Sequence, residues 1–159
     1  MRLFVCLRPP AGALADLVWA LPAGPWPSER WHVTLAFLGE VAGPTDVEVA
    51  LHQVVSPLLP LSLAGSGTFG DAVWVGLAGD VDGLRRLATQ VRDACRAAGV
   101  AVEHRAFRPH LTVARRRRLD PAVLASYAGP TWTASELELV HSRLGRPVVH
   151  ETVARQRLG

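Results

Sequence analysis

No lysine occurs in this chain; all 17 of its basic residues are arginines. A GC-rich coding bias produces such a skew without any function, so the absence carries little weight alone. Arginine is nonetheless the better bidentate partner for phosphate. Against 14 acidic residues it leaves a formal net charge of +3, a balance compatible with an acidic or phosphorylated substrate.

Cysteine is also scarce. Cys6 and Cys95 show no CxxC spacing, which argues against a disulfide scaffold and for two buried free thiols in a reducing cytoplasm. Every apolar run of about 18 residues is interrupted by charge, Pro or Gly, so no membrane span is expected. The opening MRLFVCLRPP is too short an apolar stretch for a secretory signal. HxxxH and CxxC pairs are missing too, so neither a metal site nor a cofactor is expected. The Gly-Ser-Gly at 65–67 lacks the Lys-Ser/Thr of a phosphate-binding loop, which removes support for an ATP-dependent ligase or kinase.

What is present fits one domain spanning 1–159, 49% hydrophobic and without a low-complexity linker. Strands are expected over 2–7, 31–38, 61–70, 72–79, 110–114, 133–142 and 147–154, and helices over 11–20, 45–55, 81–98 and 120–127. The 81–98 segment is the clearest helix, with Leu84, Leu87, Val91 and Cys95 at helical spacing and Gly99 placed to cap it. Gly70-Asp71 reads as a hairpin turn. Strands and helices in this order make an α+β protein.

Two short segments carry chemistry. RWHVTLAFLGE (30–40) and RPHLTVAR (108–115) each contain His-x-Thr, and their histidines lie 78 positions apart, close to half the chain, as a duplication would leave them. Side chains alternate along a strand. His32 and Thr34 should therefore share one face while Trp31, Val33, Leu35 and Phe37 share the other; His110, Thr112 and Ala114 should likewise oppose Leu111 and Val113. Either motif alone is more simply a strand with a satisfied polar residue. Two copies in strand context favour a shared site: one neutral imidazole to take a proton, a second, protonated one to give a proton, and two hydroxyls to hold phosphate oxygens.

The pair HVTL and HLTV resembles the motifs of the two-histidine (2H) phosphoesterase superfamily. The flanking residues are similar to those of its RNA 2′,3′-cyclic phosphodiesterases, also called 2′-5′ RNA ligases. TFGDAVWVGL (68–77) and the segment 139–158 extend the resemblance over essentially the whole chain. It implies a bilobal, pseudo-twofold fold of two related, interleaved lobes, each an antiparallel sheet with flanking helices, and an active-site cleft between them. It implies cofactor-free hydrolysis of 2′,3′-cyclic phosphate ends to 2′-phosphates, with ATP-independent 2′-5′ ligation as the related reaction. His32 and His110 become the acid/base pair, Thr34 and Thr112 the phosphate binders, and Arg115 a phosphate contact. By analogy His110 takes the base role and His32 the acid. The tyrosine that the family often carries before its last strand is missing; this chain has PVVHE there.

Arg116 and Arg117 extend the charge run toward an RNA backbone, or form a solvated loop. Of the tryptophans, Trp31 and Trp74 read as core, and Trp26, in the proline-rich loop before the first motif, as the one to touch a base. The expected partners are RNA with 2′,3′-cyclic phosphate ends, such as tRNA fragments, or small cyclic nucleotides, met by a cytoplasmic monomer. A non-catalytic RNA-binding module, or a 2H enzyme for another small cyclic phosphoester, is the alternative. A pure binder, however, has no need of both histidines.

Overall fold

Apolar residues at every second position pull the strands onto a common core, and those at helical spacing pull the helices onto it. A computed structural model describes residues 1–159. It contains β1 (Arg2–Leu7), α1 (Ala11–Ala20), β2 (Val33–Glu40), α2 (Thr45–Leu51), β3 (Leu59–Phe69), β4 (Ala72–Gly79), α3 (Val81–Ala97), β5 (His110–Arg115), β6 (Trp132–Ala134), β7 (Glu136–Arg143) and β8 (Val149–Arg157). The α+β expectation holds. One cluster of 34 buried residues takes Leu17 from α1, Val47 and Leu51 from α2, and Leu84, Leu87 and Val91 from α3. Burying one such leucine contributes about 1.5–3 kcal/mol. The Asp80 carboxylate accepts from the Gly83 N–H (2.9 Å) and caps α3.

The eight strands form one sheet in the order β6-β3-β4-β5-β2-β1-β7-β8, with every ladder antiparallel. The motif-bearing strands β2 and β5 are central neighbours, and a single registered pair, Val33 with Leu111, joins them. Only Ser135 separates β6 from β7, although six strand spacings lie between them in the sheet. Laid flat, those spacings would span about 29 Å, far beyond the roughly 7 Å that two residues can bridge. The sheet therefore curls strongly. No helix is long and apolar enough to cross a membrane.

Several expectations need correction. The helix expected over 45–55 stops at Leu51, because Gln53 and Val54 turn back to the carbonyls of Ala50 and Leu51 as the chain approaches Pro57. The strand expected over 133–142 is two strands that pair with β3 and β1 respectively. Residues 121–124 make a single 3-10 turn. The second strand begins at Val33 rather than at Trp31, so His32 sits at its threshold.

Candidate active site

Alternation along β1 sends Leu3, Val5 and Leu7 into the main core, while Phe4 and Cys6 lie on the other face with Val140. The site is built on that other face. Cys6 pairs in register with Thr34 and Phe4 with Phe37, because β2 carries bulges at Leu35 and Leu38. Each bulge inserts one residue and so reverses which face the following side chain takes. Phe37, expected on the core face, is accordingly 53% exposed and shares a cavity of about 560 Å³ with Thr34. On β5 Leu111 and Val113 are buried and His110 and Thr112 open to the same cavity, as expected, but a register shift at Val113 against β4 turns Ala114, expected beside them, toward the core. The structure thus brings His32, Thr34, His110 and Thr112 around one space.

Both catalytic candidates are held in the same way. The Nδ1 of His32 lies 2.7 Å from the Arg30 carbonyl, and that of His110 lies 2.6 Å from the Arg108 carbonyl. A carbonyl only accepts, so each neutral ring carries its proton on Nδ1 and keeps the Nε2 lone pair free for chemistry. His32 also stacks on Phe4 (centroids 4.7 Å, planes 27° apart), whereas His110 meets the edge of Phe69 (4.9 Å, 90°). Trp74, expected in the core, stands on the cleft side with its ring 6.3 Å from that of His110.

Burial pushes the His32 imidazole down to about 4; the Arg30 carbonyl opposes this, and the Arg8 guanidinium is among the nearby positive charges that add to it. The unfolded ring titrates near 6.5. Protons therefore bind the unfolded state first, so the stability this group contributes is complete above about pH 6.5 and is lost as pH falls toward 4. Denaturant titrations at pH 7.5 and 4.5 should show wild type losing roughly 2–3 kcal/mol more than His32→Gln over that interval. Equal losses in the two proteins would contradict a buried neutral His32.

Arg115 lies beside the site, its Nη1 3.3 Å from the Asp71 carboxylate, and lines a second groove together with His32, Thr112, Arg117 and Trp26. The Trp26 indole N–H donates to the Pro22 carbonyl (2.9 Å), and the Arg118 guanidinium lies 5.6 Å from the ring centroid. Arg116 is exposed and lines neither this groove nor the cavity; its main-chain N–H donates to the Asp71 carbonyl. Sequence reasoning missed His150, which lines both spaces and packs against Phe4 and His32. Its one signal was the place where it stands, in the PVVHE segment that departs from the expected tyrosine.

Residues 23–146 match the family described as the 2′-5′ RNA ligase superfamily. An RNA 2′,3′-cyclic phosphodiesterase of Geobacillus stearothermophilus is 31% identical over 155 residues, covering 87% of this chain and 49% of that protein. The chain spans about half the length of the curated relatives it matches. The crystal structure of Escherichia coli LigT in apo form superposes with a TM-score of 0.79 at 26% identity, covering 99% of this chain and 96% of that one. LigT complexed with 3′-AMP gives a TM-score of 0.79 at 25% identity, covering 99% and 97%.

Proposed function

The chain belongs to the 2′-5′ RNA ligase superfamily, the two-histidine phosphoesterases its motifs resemble, and from that premise we propose that it hydrolyses RNA 2′,3′-cyclic phosphate ends to 2′-phosphates. One observation carries the reading. Two imidazoles, each latched through Nδ1 to the carbonyl two residues earlier, face one cavity that also holds two threonine hydroxyls. That set supplies a proton acceptor, a proton donor and neutral donors for phosphate oxygens.

The role assignment follows from burial. His32, held neutral, takes the proton of the water that attacks phosphorus. His110, on the more exposed side, gives its proton to the ribose 3′ oxygen as the P–O3′ bond breaks. This reverses the assignment suggested by family analogy. Thr34 and Thr112 hydrogen-bond the non-bridging oxygens, and Arg115, 67% exposed and paired only with Asp71 at the surface, swings to offset their charge. With an RNA 5′-hydroxyl in place of water, the same two proton transfers make a 2′-5′ linkage.

The groove bearing Trp26, Arg115 and Arg117 receives the RNA beyond the reacting end. Arg116 lies outside it and contributes only long-range charge. A structural relative complexed with 3′-AMP suits the view that a single nucleotide fills the cavity, so small cyclic nucleotides are included as substrates. The two buried free thiols suit the cytoplasm, and the whole chain acts as one monomeric catalytic domain.

The test is incubation of EDTA-treated protein with a short RNA ending in a 2′,3′-cyclic phosphate. The expected product is the 2′-phosphate, formed at the same rate with and without chelator. A 3′-phosphate product would refute the roles given to the ribose oxygens, and RNA bound but unchanged would support the non-catalytic binding module.

A further inference from the structure

The proposed chemistry uses two of the three histidines that border the cavity and leaves His150, on β8, without a task. Its ring meets His32 edge to face (centroids 5.5 Å, planes 71° apart) and Phe4 in the same manner (5.2 Å, 70°). With the stacked Phe4–His32 pair, three rings form one packed group in the wall of the cleft. The ring of His150 is thereby fixed in place.

Its hydrogen bonding is the opposite of that of the other two. His150 has no carbonyl latch, and its Nδ1 is buried without any hydrogen-bond partner. A buried N–H with no acceptor is a rarer and costlier arrangement than a lone pair with no donor. The proton of the neutral ring therefore resides on Nε2, the nitrogen left to the cavity. Burial, reinforced by the guanidiniums of Arg30 and Arg8, holds this imidazole below its ordinary range and so keeps it uncharged. In their neutral forms His32 and His110 thus turn a lone pair to the cavity, while His150 turns an N–H to it.

We propose that His150 is a substrate-binding residue whose Nε2–H donates a hydrogen bond to an oxygen of the cyclic phosphate, or of its ribose, held between His32 and His110. The inference rests on the phosphodiesterase reading above. A neutral donor suits this place for an electrostatic reason. A cation packed against His32 would oppose the positive charge that His32 acquires as it takes the water's proton. A neutral N–H binds the anionic substrate without that penalty.

Two measurements decide it. Long-range ¹H–¹⁵N spectra of the unliganded protein at pH 7.5 should show His150 as the Nε2–H tautomer, with His32 and His110 as Nδ1–H tautomers; Nδ1–H at His150 would overturn the proposal. On a 2′,3′-cyclic phosphate RNA, His150→Phe keeps the ring and loses the donor, and should lower kcat/KM roughly 10–100-fold, the scale of one hydrogen bond to a charged group. His150→Tyr, which restores a neutral donor on a ring, should recover most of that loss. Full activity in His150→Phe, or equal loss in two variants with unchanged thermal midpoints, would refute a donor role. An inactive wild type would instead refute the phosphodiesterase reading. In that event the tautomer spectra, with inorganic phosphate titrated into wild type and His150→Phe, still decide the matter: tighter binding by wild type supports the donor and equal binding overturns it.

Discussion

His32→Ala and His110→Ala are each expected to lower turnover of a 2′,3′-cyclic phosphate by roughly 10²–10⁴-fold, the usual contribution of a positioned acid or base. The two losses should not add fully, because the residues act on one transition state and the double variant loses little beyond the worse single one. Fold stability should be nearly unchanged in His110→Ala, whose imidazole makes its only hydrogen bond to a carbonyl on an exposed segment. His32→Ala opens space against Phe4 and His150 and should cost slightly more. The companion observation is a bell-shaped rate profile that reports the pair rather than either ring, with its acidic limb near pH 4, where the base His32 gains a proton. A flat profile from about pH 3 to 9, or near-normal rates in both variants, would remove the two-histidine mechanism.

The second large effect lies outside the cleft. Glu138 is 6% exposed, and its carboxylate binds the Arg8 guanidinium (2.8 Å), accepts from the Thr152 hydroxyl (3.0 Å) and lies 3.6 Å from Arg155. Arg8 in turn donates to the Glu29 carbonyl (2.6 Å), in the short turn that leads into the first motif. Glu138→Ala leaves a partly buried cation without its partner and is expected to cost about 3 kcal/mol. For a chain of this size that is a fall of roughly 6–12 °C in Tm. Arg8→Met should be similarly unstable, with a further consequence for catalysis. Charge on Arg8 lowers the His32 pKa, so its removal should raise that pKa and move the acidic limb of the rate profile to higher pH. Thermal midpoints near wild type in both variants would show the pair to be dispensable.

The legible parts of this protein are those governed by one local rule. Residues 81–97 show their helix through Leu84, Leu87, Val91 and Cys95, and the β3–β4 hairpin shows itself through Gly70-Asp71. The two His-x-Thr pairs are readable for the same reason, since alternation alone places their polar side chains together. Phe37 was misjudged because a bulge is a property of pairing between strands and leaves no mark in one strand's pattern. The division of 133–142 at Ser135 was hidden likewise, because its halves pair with strands far apart in the chain. His150 was the hardest to see. It reaches His32 only through a strand order in which β1 and β7 stand between β2 and β8, and no periodicity near residue 150 encodes that order.

The two histidine latches have a consequence for how the protein can drift over generations. Each acceptor is a main-chain carbonyl two residues ahead of the ring, and every amino acid supplies one. Positions 30 and 108 can therefore change identity without disturbing the proton on either Nδ1. Selection for the reaction acts instead on chain length, because one residue inserted or deleted between carbonyl and ring, at Trp31 or Pro109, removes the acceptor. In a population of variants, the mark of this device is tolerance to substitution at positions 30 and 108 beside intolerance to insertion directly after them.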